Sequence, residues 1–285
     1  MKIALIGHTG MLGTDLINTL SQSAHNIYCF NTQNIDISST TSTQKALSDV
    51  PADIIINCAA YTKVDDCEKN QALAFSINAE GPKNLALVAN NKNIPLIHFS
   101  TDYVYNGRKK TLYLETDPCN PINIYGQSKL EGELAIKKNC RKYYIFRLQW
   151  LYGKNGSHFI KTILELAKHK KELSIVSDQW GSPTWTKEVA KSVLSIFYKK
   201  VDFGIYHLAN QGYTNWHDFA VFFLKELNIN CKLYPVTSSK FPRPAERPKN
   251  SQLCINKFLA LQQYQPNSWQ EACKEFLEEN ETNEK

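Results

Sequence analysis

The 285-residue sequence lacks the patterns that mark several large classes of protein. Its eight cysteines include no Cys-x-x-Cys pair and no neighbouring histidine at zinc spacing, which argues against a disulfide framework and against a zinc site. No apolar run reaches membrane-spanning length, and the apolar run that opens the sequence is too short for a signal peptide. We therefore expect a cytoplasmic protein with reduced thiols and no membrane partner.

Basic residues are not concentrated in any one segment. The formal net charge is +6, and no long basic run is interleaved with aromatic residues, so nucleic acid is not an expected partner. Hydrophobic residues make up 42% of the chain and charged residues 21%, which is ordinary for a folded protein. A small anionic ligand fits this balance better than a polynucleotide.

The first segment has the pattern of a dinucleotide-binding unit. The apolar run Lys2 to Ile6 is followed by Gly7-His8-Thr9-Gly10-Met11-Leu12-Gly13 and an amphipathic stretch. A strand, a glycine turn and a helix N-terminus accommodate a pyrophosphate, because glycine lets the backbone approach and the helix dipole favours negative charge. The G-x-x-G-x-x-G spacing is typical of short-chain dehydrogenases/reductases, although a turn that only packs a helix on a strand would have the same pattern. His8 could assist a phosphate or be a plain turn histidine.

The residues after the second predicted strand do not distinguish NADH from NADPH. The second predicted strand, Asn26 to Phe30, is followed by Asn31, which is neither a carboxylate for a ribose 2′-hydroxyl nor an arginine for a 2′-phosphate. Asp36-Ile37 is the kind of step that lies beside an adenine. It could equally belong to a helix N-cap region, since serine and threonine residues follow at 38–40.

A tyrosine and a lysine four residues apart are the candidate catalytic pair. Tyr125 opens a predicted helix, so Lys129 lies about one turn further along the same face. A positive neighbour favours the phenolate and lowers the pKa of a tyrosine, which makes Tyr125 a candidate general acid. Taken alone, the pair could also be a surface tyrosine beside a solvated lysine. Apolar runs at 52–61 and 94–100 predict buried parallel strands, and the second brings Thr101 to the carboxyl edge where the pair could meet it. The stretches 65–74, 78–90 and 159–169 are predicted to be helices.

We predict an α/β fold, a Rossmann-type doubly wound parallel sheet with a smaller C-terminal α/β substrate region. Residues 1–150 form the dinucleotide-binding domain, and 185–210 return to it. Residues 151–184 and 211–285 form the substrate-binding region. Within it, the proline-rich basic loop 234–249 could clamp a nucleotide-sugar diphosphate or be a solvated linker. The polar tail from Glu278 is expected to fray.

Seven segments together resemble one family, the dTDP-4-dehydrorhamnose reductases, which are extended short-chain dehydrogenases/reductases. The resemblance extends over residues 1 to about 277, and so many ordered motifs are very hard to obtain by chance. The segments are Gly7-x-x-Gly10-x-x-Gly13, Asn57-Cys-Ala-Ala-Tyr-Thr-Lys-Val-Asp65, Ser100-Thr-Asp-Tyr-Val-Tyr105, Tyr125-Gly-Gln-Ser-Lys129-Leu-Glu-Gly-Glu133, Arg147-Leu-Gln-Trp150-Leu-Tyr-Gly153, Asp178-Gln-Trp-Gly-Ser-Pro-Thr184 and Arg247-Pro-Lys-Asn-Ser-Gln-Leu253.

The resemblance implies reduction of the 4-keto group of dTDP-4-dehydro-L-rhamnose to dTDP-L-rhamnose by NADPH or NADH. By motif, the catalytic residues are Tyr125, Lys129 and Thr101: Tyr125 is the proton donor, and Lys129 anchors the nicotinamide ribose and tunes the phenol. Substrate contacts are expected from Thr101 and Asp102, from Arg247, and from Trp150, which could instead be a buried strand-end tryptophan. Besides the glycine turn, Asn31 and the Asp36-Ile37 step, cofactor contacts are expected from Ala59, Ala60, Tyr61, Phe99 and Ser100.

Two departures from the family pattern concern the sugar side. Leu148 and Gln149 stand where the family usually has small polar residues, and His158 stands where it often has asparagine. A reductase of a related nucleotide-linked 4-keto-deoxysugar is therefore an alternative, and a non-catalytic cofactor-binding regulatory subunit is another. Tyr103 disfavours dehydration, because the sugar-nucleotide 4,6-dehydratases carry glutamate at that position.

Metal binding and assembly are the last expectations from the resemblance. Family members can carry Mg²⁺ at a subunit contact. Asp15 matches one acidic position, but Lys187 stands near the place where another acid is expected, so Mg²⁺ stays open. A homodimer is the default for a soluble enzyme, although the sequence shows no interface.

Overall fold

The structure is a computed structural model that describes residues 1–198 and 201–281. In chain order its strands are β1 (Lys2–Ile6), β2 (Asn26–Phe30), β3 (Ile54–Asn57), β4 (Leu96–Thr101), β5 (Tyr143–Leu148), β6 (Leu151–Tyr152), β7 (Glu172–Val176), β8 (Trp180–Gly181), β9 (Thr184–Trp185), β10 (Gly204–His207), β11 (Thr214–Asn215) and β12 (Lys232–Val236). Its α-helices are α1 (Met11–Leu20), α2 (Thr40–Leu47), α3 (Val64–Lys69), α4 (Gln71–Phe75), α5 (Gly81–Asn91), α6 (Ile124–Asn139), α7 (Phe159–His169), α8 (Thr186–Ser195), α9 (Trp216–Glu226), α10 (Asn256–Leu259) and α11 (Trp269–Glu281).

The main sheet has the strand order β10-β5-β4-β3-β1-β2, and every neighbouring pair is parallel. Chain order reverses at β1, which has β2 on one side and β3 on the other. In doubly wound sheets, ligands bind at the carboxyl edge beside such a reversal. The predicted doubly wound parallel sheet is confirmed, and the glycine turn that follows β1 lies at the reversal.

Helices cover both faces of this sheet. On one face, α1 and α8 pack together, and Leu16 and Val193 share a core with sheet residues such as Phe146. On the other face, Leu85 of α5 and Ile136 of α6 are fully buried against the sheet. A separate apolar core lies among α7, α9 and α11. The proposed division into two domains stays a prediction.

Several predicted boundaries were wrong, each for a local reason. The strand predicted at 52–61 is limited to β3, because the Asn57 side chain accepts the N–H of Ala59 at 3.0 Å and turns the chain. The helix predicted at 65–74 is divided into α3 and α4 at Asn70, whose backbone is not helical. The segment predicted as one helix at 78–90 begins as a π-helical turn, Ser76–Glu80. The tail predicted to fray from Glu278 is helical to Glu281, and the rest of it lies outside the described residues.

All eight cysteines carry free thiols. Among the helices of the described residues, none combines the length and apolar character needed to cross a membrane.

Candidate active site

The glycine turn fits closely against the end of β3. Gly7 has a left-handed backbone (φ 78°), and a Cβ there would lie only 2.7 Å from the Ala59 nitrogen. A Cβ on Gly13, inside α1, would overlap the Gly7 carbonyl oxygen. The turn therefore depends on glycine both for its conformation and for its close approach to the sheet.

Gly13→Ala should destabilise the free protein, by about 1–3 kcal/mol or more, because the added methyl group overlaps fixed backbone. Gly10→Ala is the matched control in the same turn. A Cβ on Gly10 has its nearest contact at 3.4 Å, an ordinary van der Waals distance, so its free energy of unfolding should stay close to that of the wild type. Urea denaturation without cofactor compares the two, and equal losses of stability would contradict this account.

Tyr125 is held at the beginning of α6. The Asn123 side chain caps the helix by accepting the Gly126 N–H at 2.8 Å, so the helix starts one residue before Tyr125. The Tyr125 ring packs edge-to-face on Tyr103, with the ring centroids 5.8 Å apart. Tyr125 lines a cavity of about 460 Å³, the Tyr125 cavity, whose walls include Gly10 and Met11 of the glycine turn.

The pKa of Tyr125 does not follow the sequence prediction. Burial raises the pKa of this phenol, and the Thr101 hydroxyl acts in the opposite direction through a hydrogen bond. Lys129 was expected to lower this pKa, but its ammonium nitrogen instead lies 2.7 Å from the Phe99 carbonyl oxygen and 3.2 Å from His98 Nε2. Tyr125 therefore keeps its proton at neutral pH, which a proton donor requires.

Lys129 lies in a buried hydrogen-bond network with a defined polarity. The Ala59 N–H donates to Asn57 Oδ1, so the Asn57 amide nitrogen faces His98 Nδ1 at 3.1 Å and donates to it. A neutral His98 then carries its proton on Nε2, toward Lys129. Burial lowers the pKa of Lys129 to about 8, while the nearby Glu133 carboxylate and Cys58 thiol act in the opposite direction. Burial therefore favours the neutral amine at this position, whereas the Glu133 carboxylate favours the ammonium.

Three buried polar atoms of the Tyr125 cavity have no hydrogen-bond partner: Ser100 Oγ, Asp102 Oδ2 and Gln149 Nε2. Such atoms are costly unless a ligand or water satisfies them. The other oxygen of Asp102 accepts from the Thr101 hydroxyl at 3.0 Å. Burial raises the pKa of Asp102 to about 7, and the hydroxyls of Ser251 and Thr101 oppose that shift.

Two stacked tryptophans form part of the cavity wall. The rings of Trp150 and Trp216 are nearly parallel (11°), with their centroids 3.6 Å apart. Trp150 has a left-handed backbone (φ 47°), which is strained for a large side chain. Its ring lies so close to Gly181 that a Cβ there would be 2.6 Å from a ring carbon. Trp150 is thus fixed in position at the cavity.

Other predicted cofactor residues fall into two groups. Met11 and Leu12 of the turn line the Tyr125 cavity, as do Ala60, Phe99 and Ser100. Tyr61 is tied to Asp66 through its hydroxyl, and His8 Nδ1 is 3.0 Å from the Phe30 carbonyl oxygen. Thr9 is exposed beside them in the turn.

The residues predicted beside the adenosine half lie beyond β2. The Asn31 side chain accepts the Gln33 N–H at 2.9 Å, and Ile37 is buried against α5. Asp36 borders a separate cleft of about 480 Å³, the Asp36 cleft, and its carboxylate accepts from the Ser38 hydroxyl and N–H. The helix N-cap reading of this segment also holds, because Ser39 caps α2.

Arg247 lies next to the Tyr125 cavity but does not line it. Its guanidinium binds both carboxylate oxygens of Asp65, which lowers the pKa of that carboxyl. Arg247 lines a neighbouring cavity of about 780 Å³ with the exposed Trp180 and with Lys249. The basic loop thus faces an open, positively charged recess.

Comparison with known proteins is decisive for the family. A family model described as "RmlD substrate binding domain" matches residues 1–282. The chain belongs to this family, that of the dTDP-4-dehydrorhamnose reductases. It is 36% identical over 294 residues to the dTDP-4-dehydrorhamnose reductase of Escherichia coli K12, covering 98% of each chain.

Solved structures of reductases agree closely with the fold. A dTDP-4-dehydrorhamnose reductase from Clostridium acetobutylicum has a TM-score of 0.96 at 38% identity, over 99% of this chain and 100% of that one. The reductase of Bacillus anthracis, solved in complex with NADP, has a TM-score of 0.94 at 36% identity, over 98% and 99% of the two chains. The family predicted from the seven segments is confirmed.

The Mg²⁺ that the family resemblance allows does not fit the residues of this chain. The Asp15 carboxylate accepts from the Thr186 hydroxyl, and Lys187 places its ammonium on Glu279 where another acid was expected. In the part of the chain that the structure describes, no three His, Cys, Asp or Glu side chains are grouped to hold a metal ion. We derive no chemistry from a metal.

Three residues of this reductase-family site were missed by sequence reasoning. Trp216 and His98 lie outside the seven segments that resemble the family, and both make their contacts with residues distant in the chain. Lys45 of α2 borders the Asp36 cleft. The signal that could have identified His98 is a histidine inside an otherwise apolar buried strand, where a polar side chain needs a partner.

Proposed function

We propose that this chain reduces the 4-keto group of dTDP-4-dehydro-L-rhamnose to dTDP-L-rhamnose with a nicotinamide cofactor. One observation carries the proposal: the Tyr125 phenol, the Thr101 hydroxyl and Lys129 line the same cavity as the glycine turn. The family to which the chain belongs acts on this sugar by name. The cofactor, when bound, supplies the hydride.

The chain's own residues manage the proton. Hydride addition to the C4 carbonyl carbon leaves negative charge on its oxygen, and the Tyr125 phenol donates the proton that completes the alcohol. The Thr101 hydroxyl lies close to Tyr125, donates to Asp102, and orients the phenol toward that oxygen. Lys129 binds the cofactor ribose, and its terminal nitrogen is positioned by the Phe99 carbonyl oxygen and His98. The stacked Trp150 and Trp216 shield the sugar from water.

NADPH is the cofactor we favour. Lys45 borders the Asp36 cleft, close to where a ribose 2′-phosphate would follow β2, and its ammonium can pair with that phosphate. The solved relative from Bacillus anthracis supports this choice, since it binds NADP. We also infer a cytoplasmic site of action, supported by eight free thiols, and a homodimer stays a prediction.

A second candidate is the reduction of a related nucleotide-linked 4-keto-deoxysugar. Gln149 favours it, because the family usually has a small polar residue there. A non-catalytic regulatory subunit is the remaining alternative. One assay separates the three: the pure protein is incubated with dTDP-4-dehydro-L-rhamnose and each cofactor, and the product is analysed by NMR.

We expect one NADPH oxidised for each dTDP-L-rhamnose formed. Slow turnover with rapid turnover of another 4-keto sugar would favour the second candidate. Cofactor binding without any oxidation would favour the regulatory subunit and overturn the proposal.

A further inference from the structure

Gln149 presents a buried hydrogen-bond donor to the Tyr125 cavity. The residue is 1% exposed, and the Ser182 N–H donates to its Oε1 at 3.1 Å. That bond fixes which end of the amide is oxygen, so the amide nitrogen is the end without a partner. A donor left unpaired in this way costs stability in the free protein and is satisfied when a ligand oxygen reaches it.

A complementary acceptor lines the same cavity as this donor. Thr101 and Leu148 are register partners on β4 and β5, so Asp102 and Gln149 are the next residues at the same carboxyl edge. Asp102 is 2% exposed, and its Oδ2 has no partner. The nearby Ser251 hydroxyl opposes the raised pKa of Asp102, and it donates to the Trp180 carbonyl oxygen at 3.3 Å.

A single hydroxyl group can satisfy both atoms, because it accepts one hydrogen bond and donates another. We propose that Gln149 is a specificity-determining residue, whose amide donates to the sugar hydroxyl next to the reacting carbonyl while that hydroxyl donates to Asp102. This deepens the proposed function and rests on it for the orientation of the sugar.

The position of the pair selects the hydroxyl. Asp102 Oδ1 accepts from the Thr101 hydroxyl, and Thr101 contacts the Tyr125 phenol that faces the carbonyl oxygen. The subsite is therefore one step from the reacting carbon. In a 4-keto-6-deoxyhexose, C5 carries the methyl group, so the neighbouring hydroxyl is the one on C3.

The test compares the affinities of three product sugars in the presence of NADP⁺, by isothermal titration calorimetry. The wild type should bind dTDP-L-rhamnose about tenfold to a hundredfold more tightly than the 3-deoxy analogue, since both protein atoms stay unpaired in the latter. The 2-deoxy analogue should bind almost as tightly as dTDP-L-rhamnose. In Gln149→Met, which keeps the side-chain length but removes the donor, the preference over the 3-deoxy analogue should fall to a few-fold.

Gln179→Met is the matched control. Gln179 supports the Trp216 indole from outside the cavity, accepting its N–H at 3.1 Å, so its loss should leave the preference for the 3-hydroxyl intact. A Gln149→Met protein with the full wild-type preference would overturn the inference, as would discrimination against the 2-deoxy sugar alone. Binding is measured without turnover, so the two ideas can fail separately. If the protein shows the expected affinities but does not oxidise NADPH, the proposed function is wrong and the subsite is still supported.

Discussion

Tyr125→Phe should lower kcat by about 10²–10⁴-fold while NADPH still binds. The substitution keeps the ring, and with it the edge-to-face contact on Tyr103, and removes only the hydroxyl. Without that hydroxyl, nothing at the same place delivers a proton to the oxygen of the reduced carbonyl. Steady-state oxidation of NADPH measures the loss, and titration of the cofactor by fluorescence measures its binding.

Tyr206→Phe is the matched control for this change. Tyr206 lies on the edge strand β10, is 2% exposed and donates its hydroxyl proton to the Asp202 carbonyl oxygen at 2.7 Å. Removing this hydroxyl should lower the free energy of unfolding and leave kcat close to that of the wild type. Turnover by Tyr125→Phe at the rate of Tyr206→Phe would rule out the phenol as the proton donor.

The environment of Tyr125 suits a donor that acts once per turnover. Burial raises its pKa, so the phenol stays protonated until negative charge develops on the sugar oxygen. Lys129 does not oppose this in the free protein, because its nitrogen is bound to the Phe99 carbonyl oxygen. Sequence spacing correctly placed the two side chains one turn apart. It could not indicate that the Lys129 ammonium would bind the Phe99 carbonyl oxygen and not the Tyr125 phenol.

Local sequence pattern was enough for the elements with strong periodicity. β1 and β2 have their predicted bounds because each is a short apolar run beside a turn, and α7 runs over its predicted Phe159–His169 because its amphipathic pattern is unbroken. The errors arose where a side chain acts on the backbone, as Asn57 does at the end of β3. Such a hydrogen bond leaves little signal in hydrophobic periodicity.

The parts of the candidate site that depend on short-range sequence spacing were predictable from the sequence. Glycine spacing located the turn, and helix spacing located Tyr125. The aromatic wall could not be predicted in full, because Trp216 reaches Trp150 from a helix that follows it by more than sixty residues in the chain. Arg247 was assigned to the substrate by motif, and the structure pairs it with Asp65 in the neighbouring cavity, a contact that depends on the tertiary fold.

The helix that carries Tyr125 is held to the sheet by a buried ion pair. Glu133 of α6 is 1% exposed and Arg147 of β5 is 2% exposed. The guanidinium binds both carboxylate oxygens, at 3.0 Å and 2.6 Å, and also donates to the Tyr105 hydroxyl at 2.6 Å. Removing one partner from such a pair is costly, because the other charge stays buried without compensation.

Arg147→Met should therefore lower the free energy of unfolding by about 3–5 kcal/mol, measured by urea denaturation. The double variant Glu133→Leu/Arg147→Met should recover most of that loss, because two apolar side chains replace both charges in a dry site. A double variant no more stable than Arg147→Met would contradict this reading. The pair would then act mainly through the hydrogen bond from Arg147 to the Tyr105 hydroxyl, which both variants lack.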